Sequence, residues 1–258
     1  MPDDPPAHGT TTDPLPGFRH VEHVMGTVFS FDIRDPDTPA RRAALREAVA
    51  MLHRVDELFS TYKPDSVISR LARHDVTRGD IPTVVHEVLE LCAEAHLRTR
   101  GCFSYRPGGT LDPSGLVKGW ATELASTLLY ASGAVNTSVN GGGDVQVRGE
   151  AAPGRAWRIG IADPRDPARI LTTVTGRDIA VATSGTAERG SHIIDPRTGT
   201  PVPGLVSATV TGPHLMWADV YATAAVVLGD EAEEWLTGID GYALASFVTA
   251  PSPCPHRE

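Results

Sequence analysis

The order of the helix and strand patterns constrains the fold of this chain more than any other feature. Apolar residues recur at helical spacings of three and four over residues 39–59, 83–100 and 116–131. Short strand patterns separated by Gly, Pro and Asp then follow between residues 145 and 212. A helix over 218–229 that is apolar nearly all round comes near the end. Because helix-rich and strand-rich regions are largely segregated, the sequence predicts an α+β fold.

The chain of 258 residues has no internal repeat and no long linker, which favours one domain. We expect this domain to cover residues 19–250, with one strand over residues 24–33 before the first helix. Residues 1–18 carry several Pro and Asp and few apolar side chains, so we expect them to be disordered. Residues 251–258 are expected to form a flexible tail.

Composition excludes several classes of function. The formal net charge of −9 makes the chain a poor partner for nucleic acid or for an anionic membrane. No apolar run approaches the ~20 residues that span a bilayer, and the N-terminal segment has no apolar core of a secretory signal. These features predict a cytoplasmic protein without a membrane anchor. The three cysteines form no CxxC pair, so a zinc site or disulfide framework is not expected.

Asp219 and Thr223 are the first candidate site residues. Side chains four residues apart lie on one face of a helix, and a carboxylate and a hydroxyl are oxygen donors of the kind that Mg²⁺ binds. The alternative is structural: Asp219 would cap the helix and complement its dipole, and Thr223 would bond back to the chain.

A second candidate is the glycine run before Asp144, in the sequence NGGGD. Three successive glycines allow a backbone to approach a ligand closely or to adopt positive φ. The run matches neither a dinucleotide-binding fingerprint nor a P-loop. It is equally well explained as a hairpin turn between two strands.

Two further segments carry polar side chains of interest. Thr183 and Ser184 precede a glycine, an arrangement that suits a phosphate or ribose contact, and His192 follows in a strand-like segment. His192 is either a general base or ligand contact or a hydrogen-bonded structural residue. Lys118 lies near the start of a helix, where a cation is electrostatically disfavoured. It either pairs with a ligand phosphate or is a solvated surface lysine.

Taken in order, these motifs resemble the ApbE family of FAD:protein FMN transferases. The resemblance covers about residues 21–249 and depends on seven blocks, which are Met25-Gly26-Thr27, Phe59-Ser60-Thr61-Tyr62, DPSGLVKGWA, NGGGD, ATSGT, SHIIDPRTG and ADVYAT.

The resemblance implies a two-lobed domain with a mixed or antiparallel sheet, flanking helices and FAD in a cleft between the lobes. It implies that Mg²⁺ is held by Asp219, Thr223 and the main-chain carbonyl of Ala121. The residues that it assigns to the FAD cleft are Met25, Tyr62, Cys102, Phe103, Ser104, Lys118, Leu124, Thr183, Ser184, His192 and Ile193.

The implied reaction transfers the FMN half of FAD to a Ser or Thr hydroxyl of an acceptor flavoprotein and releases AMP. A hydroxyl is a weak nucleophile and needs a base or a metal to activate it. His192 is the first candidate for that base and Asp144 is the second.

The chain departs from many family members in two respects. It shows no lipoprotein signal, and Ser104 stands where many members have a carboxylate, which puts the flavin or adenine contact at Ser104 in doubt. Two other functions use the same residues: an FAD pyrophosphatase with water as the acceptor, and a non-catalytic FAD-binding protein.

Overall fold

A seven-stranded antiparallel sheet forms the centre of the computed structural model, which describes residues 16–186 and 193–250. Its strands, in spatial order, are β1 (Phe18–Val24), β2 (Thr27–Ile33), β3 (Thr137–Gly141), β4 (Asp144–Arg148), β7 (Ile179–Gly185), β10 (Leu205–Gly212) and β11 (Ala243–Ala250). Two separate hairpins are formed by β5 (Trp157–Asp163) with β6 (Asp166–Gly176), and by β8 (Ile194–Asp195) with β9 (Thr200–Pro201).

Six α-helices lie within the described residues. They are α1 (Pro39–Phe59), α2 (Val67–Ala72), α3 (Thr83–Arg98), α4 (Ser114–Ala131), α5 (Leu215–Leu228) and α6 (Ala232–Thr237). The sequence Thr38-Pro39 predicts the start of helix α1, because Thr is a favoured N-cap residue and Pro a favoured first helical residue. The helix does begin at Pro39, and the Thr38 side chain accepts a hydrogen bond from the Arg41 amide at 3.3 Å.

The prediction of a single strand over residues 24–33 is wrong, because the chain forms a hairpin of β1 and β2 there. Val24 pairs with Thr27, and Met25 and Gly26 form a two-residue turn with φ of 57° and 68°. Positive φ at both central residues is the geometry of a tight hairpin turn. The preceding strand β1 begins at Phe18, so the fold includes the last residue of the segment that was expected to be disordered.

The helices and the sheet share one main hydrophobic core. Phe29, Phe31 and Ile33 of β2 are at most 1 % exposed, and Leu52 of α1 and Tyr221 of α5 belong to the same buried cluster. Ten of the fourteen residues of α5 are buried, as its apolar sequence predicts. The α+β class and the antiparallel sheet with flanking helices are therefore confirmed. The ligand cleft between two lobes stays a prediction.

The segments at both ends of the chain fall largely outside the described residues, which exclude 1–15, 187–192 and 251–258. The expectations of N-terminal disorder and of a flexible tail concern mainly these segments. Across the ranges that the structure does describe, no helix combines the length and the apolar character needed to cross a membrane. The cytoplasmic location stays a prediction from composition.

Candidate active site

A close contact between α4 and α5 brings the candidate residues together. A Cβ atom placed on Gly119 of α4 would lie 2.9 Å from the Asp219 Cβ of α5 and 3.1 Å from the Leu215 carbonyl oxygen. Real side chains do not tolerate such distances, so the glycine permits the approach of the two helices. As a result, Asp219 is almost fully buried against α4.

The ammonium group of Lys118 lies between two buried carboxylates. Its Nζ atom contacts Asp144 Oδ2 and lies 3.3 Å from Asp219 Oδ2. The side chains of Asp144 and Asp219 are 1 % and 4 % exposed, whereas that of Lys118 is 21 % exposed. Buried charges are costly unless they are paired, and here two carboxylates face one ammonium. Among the described residues, the carboxylate oxygens of Asp144 and Asp219 are thus brought to one point beside a single ammonium.

Asp144 is held in place by the glycine-rich turn that precedes it. Gly142 and Gly143 join β3 to β4 with φ of 62° and 104°, and a Cβ atom on Gly142 would lie 2.6 Å from Thr27 Oγ1. The hairpin turn, one of the two explanations of the glycine run, is therefore present, and the same turn brings Asp144 to the site. Asp144 Oδ1 accepts a hydrogen bond from the Thr183 amide at 3.0 Å, which links β4 to β7.

Hydroxyl groups connect the end of β7 to its neighbours. Ser184 Oγ and Thr223 Oγ1 of α5 are hydrogen-bonded at 2.9 Å. Thr183 Oγ1 and Thr209 Oγ1 of β10 are bonded at the same distance. These are two separate hydroxyl pairs, because Thr183 and Ser184 are adjacent on β7 and their side chains point to opposite faces of the sheet. The Ser184 hydroxyl faces α5, and Thr183 reaches Asp144 through its main-chain amide.

The donor set suits a hard cation. Asp219 and Thr223 offer a carboxylate and a hydroxyl on one helix, and Ala121 is fully buried on α4, two residues after Gly119. Within the described ranges, no three His, Cys, Asp or Glu residues cluster as a metal site would require. A magnesium site made of one carboxylate with hydroxyl, carbonyl and substrate oxygens does not require such a cluster. The residues present therefore fit Mg²⁺.

The segment from Cys102 to Ser104 is held in place mainly by burial and by hydrogen bonds to His96 and Thr99. Cys102 and Phe103 are 1 % and 2 % exposed, and burial raises the pKa of the Cys102 thiol. The Phe103 amide donates to Thr99 Oγ1 at 3.0 Å, and its carbonyl oxygen lies 2.9 Å from His96 Nδ1. Burial leaves little of either side chain for a ligand, whereas Ser104 is half-buried.

The remaining predicted cleft residues lie in varied surroundings. Met25 and Leu124 are half-buried against the main core, and Ile193 packs beside a smaller cluster on β10 and α5. Tyr62 is 91 % exposed and so lies outside the buried cluster around Lys118. A groove with a volume of about 320 Å³ begins at its neighbour Thr61 and extends to Asp112. His192 lies outside the described residues.

Sequence reasoning missed three residues that contact this region. Thr209 lies across from Thr183 in the pairing of β10 with β7. Glu123 Oε1 and His214 Nδ1 are hydrogen-bonded at 2.7 Å where α4 meets the start of α5. No sequence signal marked Thr209, which falls with Ser207 and Thr211 on the polar side of an alternating strand pattern. Glu123 and His214 are 91 residues apart and gave no signal.

Comparison with known proteins identifies a matching family model and several relatives. The model of the ApbE family matches residues 25–108 and 104–244. An FAD:protein FMN transferase of Vibrio cholerae is 29 % identical over an alignment of 268 positions, which covers 81 % of this chain and 80 % of that protein. An FAD:protein FMN transferase of Rhodobacter capsulatus is 38 % identical over 136 residues, which cover 50 % of this chain and only 26 % of that protein.

Solved structures share the fold. The flavin transferase ApbE from Vibrio cholerae superposes with a TM-score of 0.74 at 22 % identity, over 91 % of this chain and 98 % of that one. The ApbE protein of Thermotoga maritima gives a TM-score of 0.78 at 19 % identity, over 91 % and 97 % of the two chains.

Proposed function

The chain belongs to the ApbE family, and from this we propose that it is a magnesium-dependent FAD:protein FMN transferase. It would transfer the FMN half of FAD to a Ser or Thr hydroxyl of an acceptor flavoprotein and release AMP. The observation that carries the proposal is the position of Lys118 between Asp144 and Asp219. These three charged residues come from α4, β4 and α5, which are far apart in the sequence.

A purely structural role explains this cluster less well. A buried ion pair is a weak source of stability, since desolvation offsets most of the attraction. Two largely buried carboxylates beside a partly exposed ammonium, next to the hydroxyls of Ser184 and Thr223, instead suit a site for a cation and a phosphate substrate.

We assign the magnesium ligands to Asp219, Thr223 and the main-chain carbonyl of Ala121. When bound, Mg²⁺ supplies positive charge next to the FAD pyrophosphate. Thr223 is already oriented by its hydrogen bond to Ser184, and Asp219 is held against Gly119 of α4. Little side-chain rearrangement is therefore needed at these two positions.

The chain's own residues contribute charge and position. The Lys118 ammonium neutralises charge that develops on the pyrophosphate, and the Ser184 hydroxyl, which faces α5, binds a phosphate oxygen. The acceptor hydroxyl oxygen forms a bond to the phosphorus of the FMN half. The bond from this phosphorus to the bridging oxygen breaks, and AMP leaves with that oxygen. Such a transfer depends mainly on positioning and electrostatics.

The proton of the acceptor hydroxyl needs a base, for which His192 is the stronger candidate. The two oxygens of Asp144 already accept from Lys118 and from the Thr183 amide. Asp144 is therefore better suited to holding Lys118 and the Thr183 amide in position than to accepting a proton. The remaining FAD contacts are proposed from the family pattern. They are Met25, Tyr62, Cys102, Phe103, Ser104, Leu124 and Ile193.

The function is tested by a product balance. The purified protein is incubated with FAD and Mg²⁺, with and without an FMN-acceptor domain, while AMP, free FMN and the acceptor mass are measured. The transferase gives AMP and an FMN-sized mass gain only with acceptor present. Asp219→Asn should abolish both products, whereas the exposed control Asp230→Asn should not.

The other outcomes decide between the alternative functions. Equal amounts of AMP and free FMN without acceptor would identify an FAD pyrophosphatase. FAD that is bound but intact in every reaction would refute both enzymatic functions and leave an FAD-binding protein.

A further inference from the structure

The N-terminus of α5 has no capping side chain of its own. His214 at the N-cap makes no side-chain capping bond, and the first turn contains no acidic residue. The first amides of a helix need acceptors from elsewhere. Glu123 of α4 provides one, because its Oε2 atom accepts from the Met216 amide at 3.1 Å. Its other oxygen, Oε1, lies 2.7 Å from His214 Nδ1.

Glu123 thus attaches to α5 at two points with one carboxylate. It lies five residues after Lys118 on α4, and Met216 lies three residues before Asp219 on α5. Gly119, which lies against Asp219, falls between Lys118 and Glu123 on α4. The side chain of Glu123 is 21 % exposed, and a negative charge at a helix N-terminus is electrostatically favourable. The attachment therefore restrains both sliding and rotation of α5 against α4.

The geometry points to Glu123 as a positioning residue for the metal ligands. It fixes the register of α5 and so places Asp219 and Thr223 relative to α4, which carries Lys118. This inference rests on the proposed function, since it concerns the cation of that site. A helix cap that contributes only stability would leave cation affinity unchanged. Outer residues that orient ligands typically change metal affinity by about 10–100-fold when they are replaced.

The test measures Mn²⁺ binding in the presence of FAD by electron paramagnetic resonance, together with thermal unfolding. We expect Glu123→Ala to weaken Mn²⁺ binding by about tenfold. Glu123→Gln should lose less, because its amide oxygen still accepts from the Met216 amide. The matched control is Thr38→Ala, which removes the cap of α1. It should lower the unfolding midpoint by about 2–4 °C and leave Mn²⁺ affinity unchanged.

Two results would overturn the inference. One is a Glu123→Ala variant that binds Mn²⁺ as tightly as the parent chain, and the other is an equal loss of affinity in Thr38→Ala. Should Glu123→Ala not fold, His214→Ala removes one of the two attachments at an exposed side chain and carries the same test. A parent chain that binds no Mn²⁺ would instead show that the proposed metal site itself is wrong, and the inference would fall with it.

Discussion

Replacing Gly119 with Ala tests the claim that close packing of α4 on α5 sets the geometry of the site. The added Cβ would lie 2.9 Å from Asp219 Cβ, 3.1 Å from Asp219 Oδ2 and 3.1 Å from the Leu215 carbonyl oxygen. Ordinary contacts begin at 3.4 Å, so the helices or the Asp219 side chain must move by about half an ångström to restore normal packing. One of the opposing atoms belongs to the backbone, which limits local relief.

Stability and activity should respond differently to this change. Overpacking costs about 1–3 kcal/mol, and the higher helix propensity of Ala offsets about 1 kcal/mol of that. Unfolding free energy should therefore fall by at most about 2 kcal/mol. A displacement of 1 Å in a catalytic site can reduce the rate about 100-fold, so half of that shift should reduce FMN transfer by about tenfold.

The assay compares the rate of AMP release with acceptor present, across a range of Mg²⁺ concentrations, with urea unfolding of the same samples. Gly238→Ala is the control, because the nearest atom to its added Cβ lies at an ordinary 3.4 Å. A Gly119→Ala variant that unfolds like the parent chain and transfers FMN at the parent rate would show that this helix contact does not set the geometry of the site.

Three further predictions follow from charge and burial. Lys118→Met leaves two carboxylates buried without their ammonium, so the urea midpoint of unfolding should fall. Saturating Mg²⁺ should raise this midpoint more in the variant than in the parent chain, and equal increases in both proteins would contradict the prediction. Burial raises the pKa of the Cys92 thiol to about 12, so peptide mapping should show alkylation at pH 8 only after unfolding, and rapid labelling of native protein would be the contrary result. The hydrogen bond from Arg197 holds the pKa of Asp195 below its ordinary 3.8, so its stabilising effect is present above 3.8 and lost as the pH falls further. Urea unfolding of Asp195→Asn should therefore show a weaker acid dependence than the parent, and identical curves would argue against this pair.

The sequence predicted the long helices well because their signals are local. Apolar spacing located α1, α3, α4 and α5 within a few residues, and the Thr38 cap marked the start of α1. The hairpin of β1 and β2 was missed because Met25, a residue without glycine's freedom, takes a positive φ in its turn. The six residues of α2 are too few to show a helical period.

The candidate site was predictable as a set of residues but not as an arrangement. Motif order assigned Lys118, Asp144 and Asp219 to one region, and the fold brings them into contact. That Lys118 pairs with both carboxylates depends on the crossing of α4 with α5 and on the turn before β4. Such contacts are set by tertiary packing, which leaves no pattern in the local sequence. The Glu123–His214 pair is hidden for the same reason.

The proposed magnesium site is tested most sharply by locating the bound cation. Crystals of the protein grown with FAD and Mn²⁺ would be measured for anomalous scattering. We predict one strong peak in contact with Asp219 and Thr223, with the FAD pyrophosphate between that peak and Lys118. A cation bound at other residues, or FAD bound with its pyrophosphate away from Lys118, would contradict the assignment of this site.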